Sequence, residues 1–269
     1  MVKVQPNEQH NYYLDGYLKS NLDHVQKEVR KQDFDSFIII AGREGFGKST
    51  LAGQVAMYLD PTYCLERCTF TASQFEEACL SAEKCQAVVF DETMGYLSSR
   101  GAMSKFNRQL IKIMSEMRSK NLFVILCIPN FFELDKYPAI HRSTGLLNIY
   151  KRGNFQSYDY KKKKYLYLQG KKFYETTMSG NFHGPFVKYF VLDKKAYEEK
   201  KQKSIAEWDK VNEKEKKFET QRDILVTYLC GEKLIQKKEI ADLIGVSKSY
   251  ISFILRKEIK LENLPTTEV

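Results

Sequence analysis

Eight consecutive residues near the start of the chain have the types and spacing of a phosphate-binding loop. They are Gly42, Arg43, Glu44, Gly45, Phe46, Gly47, Lys48 and Ser49, which fit G-x-x-x-x-G-K-[ST] and are followed by Thr50. Glycines let backbone N–H groups wrap phosphates, the lysine faces the β- and γ-phosphates, and the serine hydroxyl suits Mg²⁺. An accidental match is expected in roughly one chain in a hundred of this length. The spacing therefore predicts ATP and Mg²⁺ as cofactors.

The second candidate element is an apolar run that ends in two carboxylates, Val88-Val89-Phe90-Asp91-Glu92. Asp91 is suited to hold Mg²⁺ through its water shell, and Glu92 to act as general base on an attacking water. Two adjacent acids after a strand are common at protein surfaces. Because they follow a phosphate-binding loop in the expected order, however, they predict hydrolysis of ATP.

Short apolar runs rich in β-branched residues must position these side chains. Runs of this length indicate buried parallel strands, and helical periodicity lies between them. The predicted strands are Phe37–Ala41, Ala87–Phe90, Leu122–Ile128 and Leu146–Tyr150. The clearest predicted helices are Leu51–Leu59 and Lys105–Arg118. Strands that alternate with helices predict an α/β fold with a parallel sheet.

With both motifs in place, the chain resembles the additional-strand branch of P-loop ATPases, which includes AAA+, RecA-like and FtsK–HerA-like motors. The resemblance covers about Phe37–Tyr150. It implies a strand between the loop strand and the Asp91 strand, for which Leu122–Ile128 is the candidate. It also implies a polar sensor at the tip of that strand, a position that Asn130 matches. A turn-forming Pro-Asn pair is the competing interpretation of Asn130.

Members of that branch act as rings in which a neighbour's arginine completes the catalytic site. The resemblance therefore implies a homo-oligomer. Arg142 precedes the Leu146–Tyr150 strand and matches the position of this arginine finger in AAA+ proteins. Arg118 is the other candidate. For each residue, a surface arginine or half of an intramolecular ion pair is the alternative interpretation, and Arg142 is placed ahead of Arg118 as the finger.

The pattern of the sequence changes at Lys151. In four segments apolar and polar residues alternate as in short hairpin strands, and the lysines at 161–164 fall at the first predicted turn. These segments are Phe155–Tyr160, Tyr165–Leu168, Lys172–Thr177 and Val187–Leu192. Tyr197–Phe218 is predicted to be a charged connecting helix.

Residues 237–254 resemble the helix-turn-helix signature of DNA-binding proteins. Ala241 is the small residue at the helix crossing, Gly245 takes the turn, and Ile251 packs the second helix. The resemblance implies that exposed residues of the second helix contact phosphates or base edges. These residues are Lys248, Ser249, Tyr250, Ser252 and Arg256. The first helix of a three-helix unit is predicted from Ile224, Leu225, Tyr228 and Leu229. A packing module that touches no DNA is the alternative.

Charge is distributed unevenly along the chain. Residues 1–150 hold 17 basic and 17 acidic residues, whereas residues 151–269 hold 26 and 17, so the second part carries the whole net charge of +9. Such an excess predicts an anionic partner, with nucleic acid as the first choice. A solvated lysine-rich surface is the alternative.

Several other classes of protein are disfavoured. No run of 18 apolar residues is present, which argues against a membrane span, and Met1–Glu8 lacks the apolar stretch of a secretory signal. Six scattered cysteines and four histidines without ligand spacing predict reduced thiols rather than a zinc site. These features together predict a cytoplasmic protein.

The sequence thus predicts a parallel-sheet P-loop ATPase core with an N-terminal extension (1–150), a β-rich elaboration (151–192), a helical connector (193–220) and a helix-turn-helix unit (221–269). The predicted function is ATP-driven loading, translocation or packaging of DNA, and the layout is similar to ATPases of viruses, plasmids and other mobile elements. An ATP-controlled, DNA-bound switch or recruitment factor without translocation remains an alternative. A small-molecule kinase is a further one, which Glu92 disfavours because a water-activating acid serves hydrolysis.

Overall fold

The computed structural model describes residues 1–91, 107–108, 110–111, 113–114, 117–176, 178–231 and 235–262. The chain divides into two compact units, Met1–Ile205 and Ala206–Val269. No helix in the described ranges is long and apolar enough to cross a bilayer.

A seven-stranded sheet lies at the centre of the first unit. The described strands are β1 (Val2–Val4), β2 (Tyr12–Leu14), β3 (Ser36–Gly42), β4 (Cys68–Thr69), β5 (Ala87–Asp91), β6 (Phe123–Ile128), β7 (Gly145–Lys151), β8 (Asn154–Tyr158) and β9 (Phe182–Pro185). The order in the sheet is β4-β5-β6-β3-β7-β8-β9, while β1 and β2 form a separate hairpin. The strands from β4 to β7 run parallel, and β8 and β9 are antiparallel.

The central strands are buried along their whole length because each is a continuous apolar run. Every residue of β3, β5 and β6 is buried. Parallel strands that are covered by helices on both faces require this composition. The four predicted strands are confirmed as β3, β5, β6 and β7.

Helices cover both faces of the sheet. They are α1 (Gly16–Lys31), α2 (Lys48–Leu59), α3 (Ala72–Ser81), α4 (the helical residues described between 107 and 117), α5 (Tyr160–Gly170) and α6 (Lys194–Gly231). Leu22 of α1 and Val55 of α2 share one core cluster with Ile40 of β3. The other cluster joins residues of α3, α4 and α5 to the opposite face of the sheet, and it includes Phe37 and Phe75.

Residues 160–170 form a helix, so the prediction of a hairpin strand over Tyr165–Leu168 was wrong. Asp159 caps the helix by accepting a hydrogen bond of 2.9 Å from the backbone N–H of Lys162. The buried positions are Lys163, Leu166, Tyr167 and Gly170. Their three- and four-residue spacing is helical, whereas the alternation of tyrosine and leucine imitates a period of two. The lysines at 161–164 therefore begin a helix and do not form a hairpin tip.

Strands β8 and β9 continue the core sheet, so residues 151–192 are not a separate β-rich part. Leu147 of β7 pairs with Ser157 of β8, and Phe155 of β8 pairs with Gly184 of β9. The predicted strands at Lys172–Thr177 and Val187–Leu192 were also wrong, since the described residues of both segments lie in turns and irregular structure.

The second unit is built from the end of α6 and two further helices, α7 (Lys237–Leu243) and α8 (Lys248–Glu262). Gly245 lies in the turn between α7 and α8 with φ of 68°. This left-handed conformation costs glycine little because it has no Cβ atom. The core of the unit consists of Val226, Ile240, Ala241, Ile251 and Ile254.

The predicted connector and the predicted first helix of this unit belong to one continuous helix, α6. Ile224, Leu225, Tyr228 and Leu229 are helical, as predicted. The first three are nevertheless largely in solvent, at 56%, 60% and 59% exposed, and Val226 supplies the buried contact to the core of this unit.

The boundary between the two units assigns the excess of basic residues to a different part of the chain than the sequence prediction does. Residues 151–205 hold 14 basic and 5 acidic residues, whereas residues 206–269 hold 12 of each. The whole excess of +9 therefore lies in the first unit. Charge does not favour the second unit as the part that meets a polyanion.

Candidate functional site

The predicted phosphate-binding loop joins β3 to α2 at the carboxyl edge of the sheet. Gly45 and Gly47 have φ of 71° and 98°, values that side chains with a Cβ atom rarely adopt. A Cβ atom at Gly47 would also lie 3.1 Å from the ring of Phe186, which packs against the loop. No described side chain caps α2, so the first N–H groups of this helix are open to an anion.

Lys48 is the first residue of α2, and its ammonium group lies over the loop. Nζ donates hydrogen bonds to the carbonyl oxygens of Gly42 at 2.8 Å and Arg43 at 3.3 Å. Arg43 and Glu44 are exposed, and Ser49 and Thr50 are half-buried in the first turn of α2. The loop therefore presents a cation and uncapped N–H groups at one place, which is the chemistry that phosphate requires.

The strand order brings Asp91 to the same edge. β6 lies between β3 and β5, and the parallel register pairs Cys127 of β6 with both Ile40 and Asp91. Asp91 is the last residue of β5 and is 3% exposed. Because the carboxyl ends of parallel strands share an edge, the carboxylate faces the region of the loop. Glu92, the predicted general base, lies outside the described residues.

Tyr197, from the first turn of α6, meets the two predicted metal ligands. Its hydroxyl donates a hydrogen bond of 2.6 Å to Oδ2 of Asp91. Burial, followed by the nearby Asp91 carboxylate, raises the pKa of the Tyr197 phenol well above its ordinary value, and the nearby Ser49 side chain opposes part of this rise. The ring packs against Phe70 and Phe190, at centroid distances of 5.2 Å and 4.9 Å.

This contact also tests whether the residues fit a magnesium ion. The Tyr197 phenol is hydrogen-bonded to Asp91 and has the Ser49 side chain nearby, so the two predicted ligands lie next to one tyrosine. A hydroxyl and a carboxylate are hard oxygen ligands of the kind that Mg²⁺ prefers. The chemistry of the pair therefore fits Mg²⁺.

Asn130 lies directly after β6 and lines a cleft of about 840 Å³ together with Gly42 and Arg43. Its Oδ1 accepts a hydrogen bond of 3.0 Å from the N–H of Phe132 and so caps a short 3₁₀ turn. The structure thus realises the turn-forming role that the sequence left as the alternative. The side chain nevertheless borders the same cleft as the phosphate-binding loop, so a sensor role stays a prediction.

The two arginine-finger candidates lie at the opposite edge of the sheet from the loop. Arg118 is exposed in a short turn before β6, and Arg142 precedes β7. Arg142 is paired with Asp35, with Nη1 2.9 Å from Oδ1, and this is the intramolecular ion pair that the sequence left open. Since β3 separates this edge from the loop by about 20 Å, neither arginine can reach the nucleotide site of its own chain.

The predicted DNA contacts all lie on α8. Lys248, Ser249 and Arg256 are exposed, while Tyr250 and Ser252 are partly buried. The ring of Tyr250 lies 5.4 Å from the guanidinium of Arg222. The Ser252 hydroxyl donates to the backbone carbonyl of Lys248, and the Ser249 hydroxyl is 3.1 Å from that of Ser247.

Two parts of the site had no sequence signal. Tyr197 is 106 residues from Asp91 along the chain, and no motif marks a tyrosine at such a separation. Phe186 likewise lies far from the loop against which it packs. Only the folded arrangement reveals that these aromatic residues border the predicted phosphate-binding loop and the predicted metal ligands.

Comparison with known families gives a match within the first unit. The family described as Novel STAND NTPase 3 matches residues 20–133. This range includes the phosphate-binding loop, Asp91 and β6, and it supports an NTPase of the P-loop type. No curated protein and no solved structure matches the chain.

Proposed function

We propose that this chain is a Mg²⁺-dependent ATPase of the additional-strand branch that works on DNA as an oligomer. The observation that carries the proposal is the placement of Ser49 and Asp91 next to one tyrosine, beside a loop that presents Lys48 and uncapped N–H groups. A strand between β3 and β5 is the topology that the resemblance implies. The family match supports nucleotide hydrolysis in general.

Each residue has a specific proposed role. The N–H groups of the loop and of the first turn of α2 bind phosphate oxygens, and Lys48 turns from its backbone carbonyls to the β- and γ-phosphates. Ser49 and Asp91 would hold Mg²⁺, which would offset the negative charge of the phosphates. Glu92, next to Asp91 in sequence, is the proposed base that accepts a proton from the attacking water.

Two features support DNA as the partner. The charge excess of residues 151–205 favours a polyanion. In the second unit, α7 and α8 meet at the Gly245 turn, and this arrangement suits the insertion of α8 into a major groove. Lys248, Ser249 and Arg256 are the proposed contacts because their side chains are exposed.

The nucleotide part of the proposal is tested with Lys48→Ala. Loss of charge-assisted hydrogen bonds to phosphate should weaken Mg²⁺–ATP binding at least about tenfold in a calorimetric titration. Lys27→Ala, which removes an exposed lysine from α1, is the matched control and should bind like the parent. Unchanged affinity in Lys48→Ala would reject the site.

The DNA part is tested by the rate of ATP hydrolysis with and without DNA. Addition of single-stranded or duplex DNA should raise the rate of the parent protein but not that of Lys48→Ala. If neither kind of DNA changes the rate of ATP hydrolysis, the proposed coupling to DNA is rejected, whereas the proposed ATPase activity is not.

An ATP-controlled switch without translocation is the second candidate. The observation that favours it is the hydrogen bond of the Tyr197 hydroxyl to Asp91, with Ser49 nearby, because a site held closed by its own chain suits slow, regulated turnover. The two candidates differ in the turnover number at saturating DNA. A motor consumes ATP continuously, whereas a switch hydrolyses about one ATP for each DNA-binding cycle.

A further inference from the structure

Helix α5 and the turn after it carry a dense mixture of lysines and aromatic residues. Between residues 160 and 174 the chain has six lysines and five aromatic residues. The buried side of α5 faces the core through Leu166 and Tyr167. The exposed side is a surface of both kinds of residue, called the α5 face here. Its members are Lys161, Lys164, Tyr165, Leu168, Lys172, Phe173 and Tyr174.

The aromatic members of the α5 face are unusually open to solvent. Tyr165, Phe173 and Tyr174 are 58%, 64% and 56% exposed. Rings of this size normally lose most of their exposure on folding, since burial of apolar area is favourable. Three open rings within ten residues therefore indicate a surface that a partner covers.

The lysines of the α5 face are available to an anion. Lys162 and Lys171 are engaged, since they donate to the carbonyl oxygens of Gly180 at 2.9 Å and Leu134 at 3.2 Å. Within the described part of the chain, no carboxylate forms an ion pair with Lys161, Lys164 or Lys172. These three lysines also belong to the segment, 151–205, that holds the whole excess charge of the protein.

We propose that the α5 face binds single-stranded nucleic acid. Lysines would contact successive phosphates, and the open rings would stack on unpaired bases. A duplex offers no free base faces to these rings. A lipid surface fits less well, because membrane-binding helices segregate apolar and basic residues to opposite faces, whereas here both share one face.

The position of the α5 face connects it to the nucleotide site. Tyr174 lines the same cleft as Gly42 and Arg43 of the phosphate-binding loop. A strand on the α5 face would therefore run beside the edge of the sheet at which ATP is proposed to bind. The inference deepens the proposed function by assigning single strands to the first unit, and it can fail separately from it.

The test measures binding of a dye-labelled oligothymidylate of about 16 nucleotides to the full-length protein by fluorescence anisotropy. The variant Tyr165→Ala/Phe173→Ala should weaken binding about tenfold or more, because each base that stacks on a ring contributes about 1–3 kcal/mol. Tyr165→Phe/Phe173→Tyr, which keeps both rings, should bind like the parent. Tyr13→Ala, an exposed tyrosine on β2, is the position control.

The lysines give a second readout. Lys161→Gln/Lys164→Gln should lower affinity and reduce the dependence of log K on log salt by about 0.7 for each lost phosphate contact. The control Lys27→Gln should leave the slope unchanged. Titration of ATP should give the parent affinity in all of these variants, which separates this result from failure of the nucleotide site.

Two results would overturn the inference. In one, the ring and lysine variants bind the oligothymidylate as tightly as the parent. In the other, the same variants lose binding to phosphatidylserine-containing vesicles but not to the oligothymidylate, which would identify the α5 face as a lipid surface.

Discussion

Lys163 carries an amine in the interior of the first unit. The residue is fully buried, and Nζ donates hydrogen bonds to the carbonyl and hydroxyl oxygens of Ser143. Burial lowers the pKa of this lysine from 10.5 to about 7. Between these two values the unfolded chain holds a proton that the folded chain lacks, so the free energy of unfolding rises with pH across this window.

Lys163→Met should remove this contribution. Relative to the variant, the parent's free energy of unfolding is expected to rise by up to about 1.4 kcal/mol per pH unit between about pH 7 and pH 10. Urea unfolding at several pH values measures the difference, and Lys164→Met, an exposed neighbour on α5, is the control. Parallel pH curves for the parent and Lys163→Met would show that the buried amine does not titrate in this range.

Arg142 and Asp35 form a largely buried ion pair. Their side chains are 16% and 10% exposed. Arg142→Ala should destabilise the protein by about 3 kcal/mol, because it leaves the Asp35 carboxylate buried without a partner. Arg142→Ala/Asp35→Asn should recover part of this loss in thermal unfolding. If Arg142→Ala keeps full stability but loses ATPase activity, the finger role becomes the better account of this arginine.

At the scale of elements, the start of α6 is attached firmly to the sheet. Lys200 donates hydrogen bonds of 2.8 Å to the carbonyl oxygens of Leu65 and Cys68, in the segment that leads into β4. One turn earlier, Tyr197 contacts Asp91. The beginning of α6 is thus positioned by one lysine and by the proposed metal ligands.

Tyr197→Phe should therefore strengthen binding of Mg²⁺–nucleotide. The phenol competes for Ser49 and Asp91, and a hydrogen bond to a charged group contributes about 1.5–3 kcal/mol, which corresponds to roughly tenfold to a hundredfold in affinity. The readout is ADP affinity with Mg²⁺ relative to that in EDTA. Tyr12→Phe, which removes an equally buried hydroxyl bonded at 2.6 Å to the carbonyl of Gln54, is the matched control. Weaker Mg²⁺-dependent binding in Tyr197→Phe would instead make the phenol part of the metal's surroundings.

The elements that could be predicted are those marked by a pattern of neighbouring residues in the sequence. The strands β3, β5, β6 and β7 follow from apolar runs, and the loop before α2 follows from glycine spacing. α5 was missed because its lysine-rich sequence hides a helical set of buried positions, among them a lysine. The contact of Tyr197 with Asp91 could not be predicted, because it depends on where α6 packs rather than on any spacing.

At the scale of the whole molecule, the two units differ in the features that favour binding of DNA. The first unit holds the excess of basic residues, whereas the second unit has no net charge and contains the pair of helices α7 and α8. Removal of residues 206–269 should therefore leave ATP affinity and most single-strand binding unchanged. It should abolish any preference for a particular duplex sequence.

Competition titrations at physiological salt, with duplexes of different sequence, measure this preference. In the intact protein, Lys248→Ala/Arg256→Ala should reduce it in the same direction. Full duplex affinity and preference after removal of residues 206–269 would make the second unit a protein-interaction module. The structure moves the boundary of this test from the predicted residue 221 to residue 206, where the second compact unit begins.

The ends of the sheet limit how copies of this protein can associate. Among the described strands, β4 and β9 terminate the sheet, and they have two and four residues, with Pro185 as the last residue of β9. Edge strands this short offer few free backbone groups for a neighbouring strand, and proline has no backbone N–H to offer. Copies that assemble should therefore meet through side chains of helices and loops, and the protein should resist joining sheet to sheet into fibres.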